Sequence, residues 1–209
     1  GDAVVEFGTQ ALAQVDLKSP RINLDTLVGS AVLQQWQDGG LLQVANQLLS
    51  RMPPKMIAEF KLNVSTLTSG GQALNDVRLT GNVQPEAIRI HEFAAELPGR
   101  STSQFNGIIF PGQTAAQLGG KLTFQSQDMR SFLTWLLPAW KDNFAKHWTG
   151  SRGQLNVSTS TLDWSARQLS LDQIAYELDG VAGTAKLSRS FGAAARATMQ
   201  INADALDVD

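Results

Sequence analysis

Two histidines, nineteen acidic residues and no cysteine are the material that this 209-residue chain offers for chemistry. His91 and His147 stand far apart, and neither belongs to an HExxH pattern; GxSxG, GxGxxG and a phosphate-cradling glycine loop before a helix are also missing. His91-Glu92 is a candidate acid/base pair, since a general base must lie within hydrogen-bond reach of its proton. Adjacent strand residues point to opposite faces, so the pair reads as a solvated strand surface. Asp204, Asp207 and Asp209 offer the oxygens that a hard cation requires. Their counterpart Asn23-Leu24-Asp25 favours a simpler role, ending a strand and capping a helix. Asn63-Val64-Ser65 and Asn156-Val157-Ser158 fit the glycosylation sequon, but each lies in a recurring Leu-Asn-Val-Ser-Thr segment that explains it better. The expectation is a protein that is not an enzyme, with no catalytic residue, no metal and no cofactor.

Apolar residues carry more information. Phe132, Trp135, Trp140, Phe144 and Trp148 form an aromatic stripe flanked by Lys141, Lys146 and Arg152. Such a helix suits a membrane surface, with aromatics at the interface and basic residues on the polar side. It suits better a helix covering a curved sheet, with its aromatics filling the core, and this reading is preferred. A second set alternates with polar residues: Leu62, Val64, Ile88, Ile90, Leu122, Phe124, Leu155, Val157, Leu169, Leu171, Met199 and Ile201. Alternation of period two places one such set on one face of a strand.

Composition bounds the remaining possibilities. An apolar fraction of 43% and a charged fraction of 17% belong to a folded chain. A net charge of −2 without long runs of either sign argues against nucleic acid, which demands a concentrated basic patch.

Taken in order, the chain alternates between two periods. Residues 1–25 alternate apolar and polar, with Ser19-Pro20 marking an edge, a bulge or a strand switch. Residues 26–56 hold apolar residues three and four apart, from Val32, Leu33 and Trp36 to Leu41, Val44, Ala45, Leu48, Leu49 and Met52. Asp25 or Thr26 is the expected N-cap, and Gly39-Gly40 is an expected break. Residues 57–127 read as strands joined by short Gly/Pro turns, a meander. Residues 128–149 are the aromatic helix, with Asp128 as N-cap and Pro138 as a kink or split. Residues 150–209 read as strands again.

These segments repeat. Leu-Asn-Val-Ser-Thr at 62–66 returns 93 residues later at 155–159; 87–99 matches 168–180, both ending Glu-Leu-x-Gly; 120–129 matches 197–206, and 15–25 is a third version. Internal periodicity of this kind marks a repeat architecture. The copy at 61–129 is the longer, with an extra hairpin expected around 72–83. Because 15–25 is the last third of a unit lacking its earlier parts, the chain reads as a segment of a longer protein. The expected fold is mainly β with helices (α+β): a repeated antiparallel meander forming a curved, groove-like sheet, with amphipathic helices after the repeat units.

The segments LSLDQIAYELDGVAGTAKL and IRIHEFAAELPGRSTSQFNGII, with closing strands LTFQSQDMRSFLTWL and MQINADALDVD, resemble the AsmA-like family of Gram-negative envelope proteins related to TamB and YhdP. The likeness covers most of 57–209 and the strand at 13–25, and the two helical stretches resemble AsmA more than the long bridge-type relatives. The resemblance implies a periplasmic location, an N-terminal inner-membrane anchor outside this chain, and a role in outer-membrane biogenesis or homeostasis. It further implies that phospholipid or other acyl-chain lipid is bound or guided on the apolar groove formed by the twelve alternating residues. The membrane surface and envelope proteins are further expected partners. The alternative is a scaffolding module that contacts envelope assembly partners, with the same face closed as a core.

Overall fold

The computed structural model describes residues 2–6, 11–27, 41–51, 53, 56–69, 72–112, 116–136, 153–165, 167–190 and 196–203. Among the described residues eleven strands form one sheet in which spatial order follows chain order. They are β1 (Asp2–Glu6), β2 (Ala11–Asn23), β3 (Met56–Ser69), β4 (Gln72–Gln84), β5 (Ala87–Leu97) and β6 (Ser101–Phe110). After these come β7 (Gln117–Ser126), β8 (Leu155–Trp164), β9 (Gln168–Leu178), β10 (Val181–Ser190) and β11 (Ala197–Ala203). Three helices are described: α1 (Leu24–Leu27), α2 (Leu41–Arg51) and α3 (Met129–Leu136).

The sheet is mainly antiparallel, as expected, with one exception. β2 and β3 pair in parallel, from Ala11 opposite Met56 to Asn23 opposite Thr68. Parallel neighbours need a long crossover, and residues 24–55, which include α1 and α2, supply it. Residue Pro20 lies beyond Asp16, the last residue of β2 that pairs with β1, so this part of β2 is an edge on that side. The sheet crosses every boundary drawn from the sequence; β7, for example, pairs with β8.

Turn chemistry follows residue type. Asp179-Gly180 closes β9 onto β10 with both φ angles positive, +49° and +86°, the two-residue type I′ hairpin for which Asp-Gly is suited. Pro98-Gly99-Arg100 makes the corresponding turn between β5 and β6, with φ of +80° at Gly99 and +50° at Arg100. Two more positive φ values fall inside strands, at Asp76 in β4 and Gln173 in β9. Both mark register shifts. An extra residue there lets Leu74 and Val77 share a face although they are three apart.

The repeat is only partly mirrored in this geometry. β5 and β9 have the same bulge place, skipping from Ile90 to Phe93 and from Leu171 to Ile174, and a tight turn follows each, of three residues after β5 and of two after β9. The two Leu-Asn-Val-Ser-Thr copies are not equivalent. β3 and β8 run in opposite directions, because an odd number of antiparallel steps separates them. The reason is that 72–84 adds one strand, β4, rather than the expected hairpin.

Helix boundaries bring two further corrections. Asn23 Oδ1 accepts from the Thr26 N–H at 3.1 Å, so Asn23, not Asp25 or Thr26, supplies the cap of α1. In α2 the inward residues are Leu42, Ala45 and Leu49, while Leu48, expected in the stripe, is half exposed. Val32, Leu33, Trp36, the Gly39-Gly40 break, Met52 and Pro138 lie outside the described residues. Asp128 caps α3 as expected: its carboxylate accepts from the Ser131 N–H at 3.0 Å and the Ser131 hydroxyl at 2.8 Å.

Candidate functional site: the apolar face of the sheet

The register places all twelve alternating residues on one face. Val64 stands opposite Val77, Ile88 opposite Ile109, and Ile109 opposite Leu118. Leu118 leads to Trp164, Trp164 to Leu169, and Arg189, opposite Leu169, to Ala197. Paired residues of neighbouring strands share a face, and period two carries the assignment along each strand. The bulges preserve it, since β5 and β9 resume apolar facing at Phe93 and Ile174.

Helices α2 and α3 cover the two ends of this face over its centre. Leu42, Ala45 and Leu49 pack with Val83, Ile88 and Ala116, against Phe60, Ile109, Leu118 and Trp164. Burying a leucine side chain contributes about 1.5–3 kcal/mol. Polar anchors fix the helix: the Asn46 amide donates to the Gly112 carbonyl at 3.2 Å and accepts from the Gly112 N–H at 3.0 Å. The Ala116 N–H donates to the Leu42 carbonyl at 3.2 Å. At the other end Val64, Leu74, Val77 and Ala95 form a second cluster with Ile22, Leu62, Phe93 and Trp135 packed against it. Phe132 lies between Phe124 and Trp135, with ring centroids 4.5 Å and 5.7 Å apart. The start of α3 is tied to the sheet through the Asp128 N–H, which donates at 3.2 Å to the Ser126 hydroxyl of β7, itself paired with the buried Ser101 hydroxyl of β6 at 2.9 Å; the Met129 N–H donates to the Gly153 carbonyl, just before β8, at 2.9 Å. Gly99 is needed here, because a Cβ at that position would stand 2.9 Å from the Phe132 nitrogen.

Beneath the helices the face is flattened. Phe60 lies against Gly81, and Phe105 lies against both Gly107 and Gly120, where an added Cβ would come within 2.6 Å of the ring. Tyr176 covers Gly183 in the same way on the far side. Rings laid over glycine fill the missing side chains without standing up from the sheet.

The flanks differ. On β2, Val15 is 48% exposed and Leu17 42%; on β11, Met199 is 62% exposed and Ile201 55%. All four belong to the apolar face by register. Thus Leu62, Val64, Ile88, Ile90, Leu122 and Phe124 fall in the central sector with the helices. Leu155, Val157, Leu169 and Leu171 lie beyond, half-buried, and Met199 and Ile201 stand at the uncovered margin. Of the aromatic stripe, Phe132 and Trp135 face the sheet, and Trp140, Phe144 and Trp148 lie outside the described residues.

The opposite face is polar and carries an open depression of about 650 Å³ lined by Lys18, Asn63, Asp76, Arg78, Glu96 and Gln104, among others. His91 and Glu92 lie on this polar face together, which corrects the expectation of opposite faces: the bulge between Ile90 and Phe93 removes the alternation there. They are engaged separately. His91 Nε2 pairs with the Asn82 amide at 3.1 Å, and the Glu92 carboxylate with Arg78 at 3.7 Å. Asn63 and Asn156 both sit within strands. Among the described residues no group of three or more His, Asp or Glu could hold a metal ion, and no helix is long and apolar enough to cross a membrane. Asp204, Asp207 and Asp209 are not among them. Comparison with protein-family models, with curated proteins and with solved structures finds no match.

Proposed function

We propose that the chain is a non-enzymatic, lipid-handling module of the Gram-negative periplasm, and that it binds or guides phospholipid acyl chains on the flank of its apolar face from β8 to β11. The observation that carries this reading is the exposure of Met199 and Ile201 on the same face that is packed under helices at the centre. A continuous apolar floor left uncovered on its β11 side gives an acyl chain a place to lie. Each methylene buried there contributes about 0.8 kcal/mol. The resemblance of 57–209 to AsmA-like segments supports the same reading and adds its context. That context is a parent anchored in the inner membrane, outer-membrane biogenesis as the process, and repeated units as the plan. Polar residues on the other face meet water, and no side chain has to perform a reaction.

The second reading, a scaffolding module with a closed core, is favoured by one observation: α2 and α3 fill the apolar face over its centre. In that reading the flank contacts an envelope protein or a membrane surface instead of lipid chains. Delipidation of the purified chain, followed by titration with a fluorescent fatty acid, separates the two. Saturable uptake supports the lipid module, and absence of uptake together with absence of co-purifying lipid by mass spectrometry supports the scaffold.

A further inference from the structure

We infer that Arg189 is a headgroup clamp on the apolar flank: it holds the phosphate of a lipid near the β8–β9 turn, while the acyl chain runs along β9 and β10 toward Asp179. The inference rests on the reading of that flank as a lipid floor, and it adds the chemical class and the direction of what lies there. Register puts Arg189 on the apolar face, between Leu169 of β9 and Ala197 of β11. Every other residue that these pairings place on that face of β9, β10 and β11 is uncharged. Lys186 points the other way: it lies on the polar face opposite Gln200 and pairs with Asp172 at 2.6 Å. A guanidinium in an apolar row is kept only where it reaches water or meets a counter-charge. Arg189 is exposed and stands one residue from the end of its strand, so both are open to it at that rim.

The charges at the two ends of the strip supply the second argument. Arg196 immediately precedes Ala197, the β11 partner of Arg189, and Arg167 stands two residues before Leu169, its β9 partner. Both turns are fixed: the Ser165 N–H donates to the Gln168 carbonyl at 2.8 Å, and the Ser190 N–H to the Arg196 carbonyl at 2.8 Å. Asp163 of β8, opposite Ser170, belongs to the polar face. At the other end Glu177 and Asp179 put negative charge at the β9–β10 turn. An anionic head is therefore drawn to the arginine end and repelled from the other. A guanidinium also matches a phosphate with two parallel hydrogen bonds. The length agrees. From Arg189 to Gly183 the strand advances roughly 20 Å, which accommodates a chain that fills one leaflet, half of a hydrocarbon core of about 30 Å. Tyr176, opposite Gly183, marks the far end of the strip.

Titration of the delipidated chain with lysophosphatidylglycerol and with a monoacylglycerol of the same acyl chain tests the clamp. The phosphate-bearing lipid is expected to bind about tenfold more tightly, the ratio that one charge-assisted hydrogen bond supplies, and salt should shrink that ratio. Arg189→Gln, checked by circular dichroism, should bring the two affinities together. Inorganic phosphate at the same concentration should displace neither lipid. The chain has a single tyrosine, so labelling with 3-fluorotyrosine gives one fluorine resonance, from Tyr176. A nitroxide at the acyl terminus of the bound lysophospholipid is expected to broaden it more than a nitroxide on the headgroup. Equal affinities for the two lipids in the unmodified chain overturn the clamp and leave the lipid floor standing; absence of binding by either lipid removes both. Selectivity retained in Arg189→Gln, displacement by inorganic phosphate, or stronger broadening from the headgroup label also overturns the clamp.

Discussion

The centre and the flank of the apolar face are written in the same alternating pattern and end in different states. Under α2 and α3, Val64 is 2% exposed; on β11, Ile201 is 55% exposed. Nothing in the period of either strand distinguishes them. The difference comes from what lies above: a helix anchored by Asn46 to Gly112 at one end, and a helix capped by Asp128 at the other. Alternation tells which way a side chain points, and only the long-range seating of helices decides whether that direction leads to a core or to a surface.

The comparison breaks most sharply under a single charge. Ile88→Asp in the central sector is expected to unfold the chain, because a buried carboxylate without a partner costs several kcal/mol; loss of the cooperative transition in urea, followed by circular dichroism, is the check. Leu42→Ala should cost about 2–5 kcal/mol by leaving a cavity between α2 and the sheet, read as a lower urea midpoint at unchanged slope. Asp128→Ala removes the cap of α3 and should cost about 1 kcal/mol, visible as a modest fall in Tm. Gln173→Gly should act in the other direction. Its φ of +54° is costly for a side chain, and glycine relieves about 1 kcal/mol, which thermal unfolding would record as a small gain. Met199→Asp, on the flank, should change stability by no more than about 0.5 kcal/mol. A flank substitution as damaging as Ile88→Asp would mean that the two sectors form a single closed core.

Much of the fold was legible. Period two located the strands, Pro98-Gly99 located a turn, and Asp128 located a helix start. The bulges at 91–92 and 172–173 were also written in the sequence: Ile-x-Ile-x-x-Phe and Leu-x-Leu-x-x-Ile interrupt strict alternation, and that interruption puts His91 and Glu92 on one face. Three features were not legible. The parallel pairing of β2 with β3 depends on how a helical crossover travels, which local period does not encode. The direction of β8 relative to β3 depends on counting β4 as one strand and not two. The half-exposed Leu48 and the buried Leu42 differ by the rotation of α2 on the sheet, which is set by contacts with Val83, Ile88 and Ala116. As for the candidate site, the sequence placed its twelve residues on one face and could not say where that face is covered.

Uptake of a fluorescent fatty acid by the delipidated chain, measured side by side with Met199→Asp and Gln200→Lys, tests the proposed lipid-binding flank most directly. Saturable binding that Met199→Asp weakens severalfold and Gln200→Lys leaves unchanged is the predicted result. No binding by the unmodified chain, or binding indifferent to Met199→Asp, would contradict it.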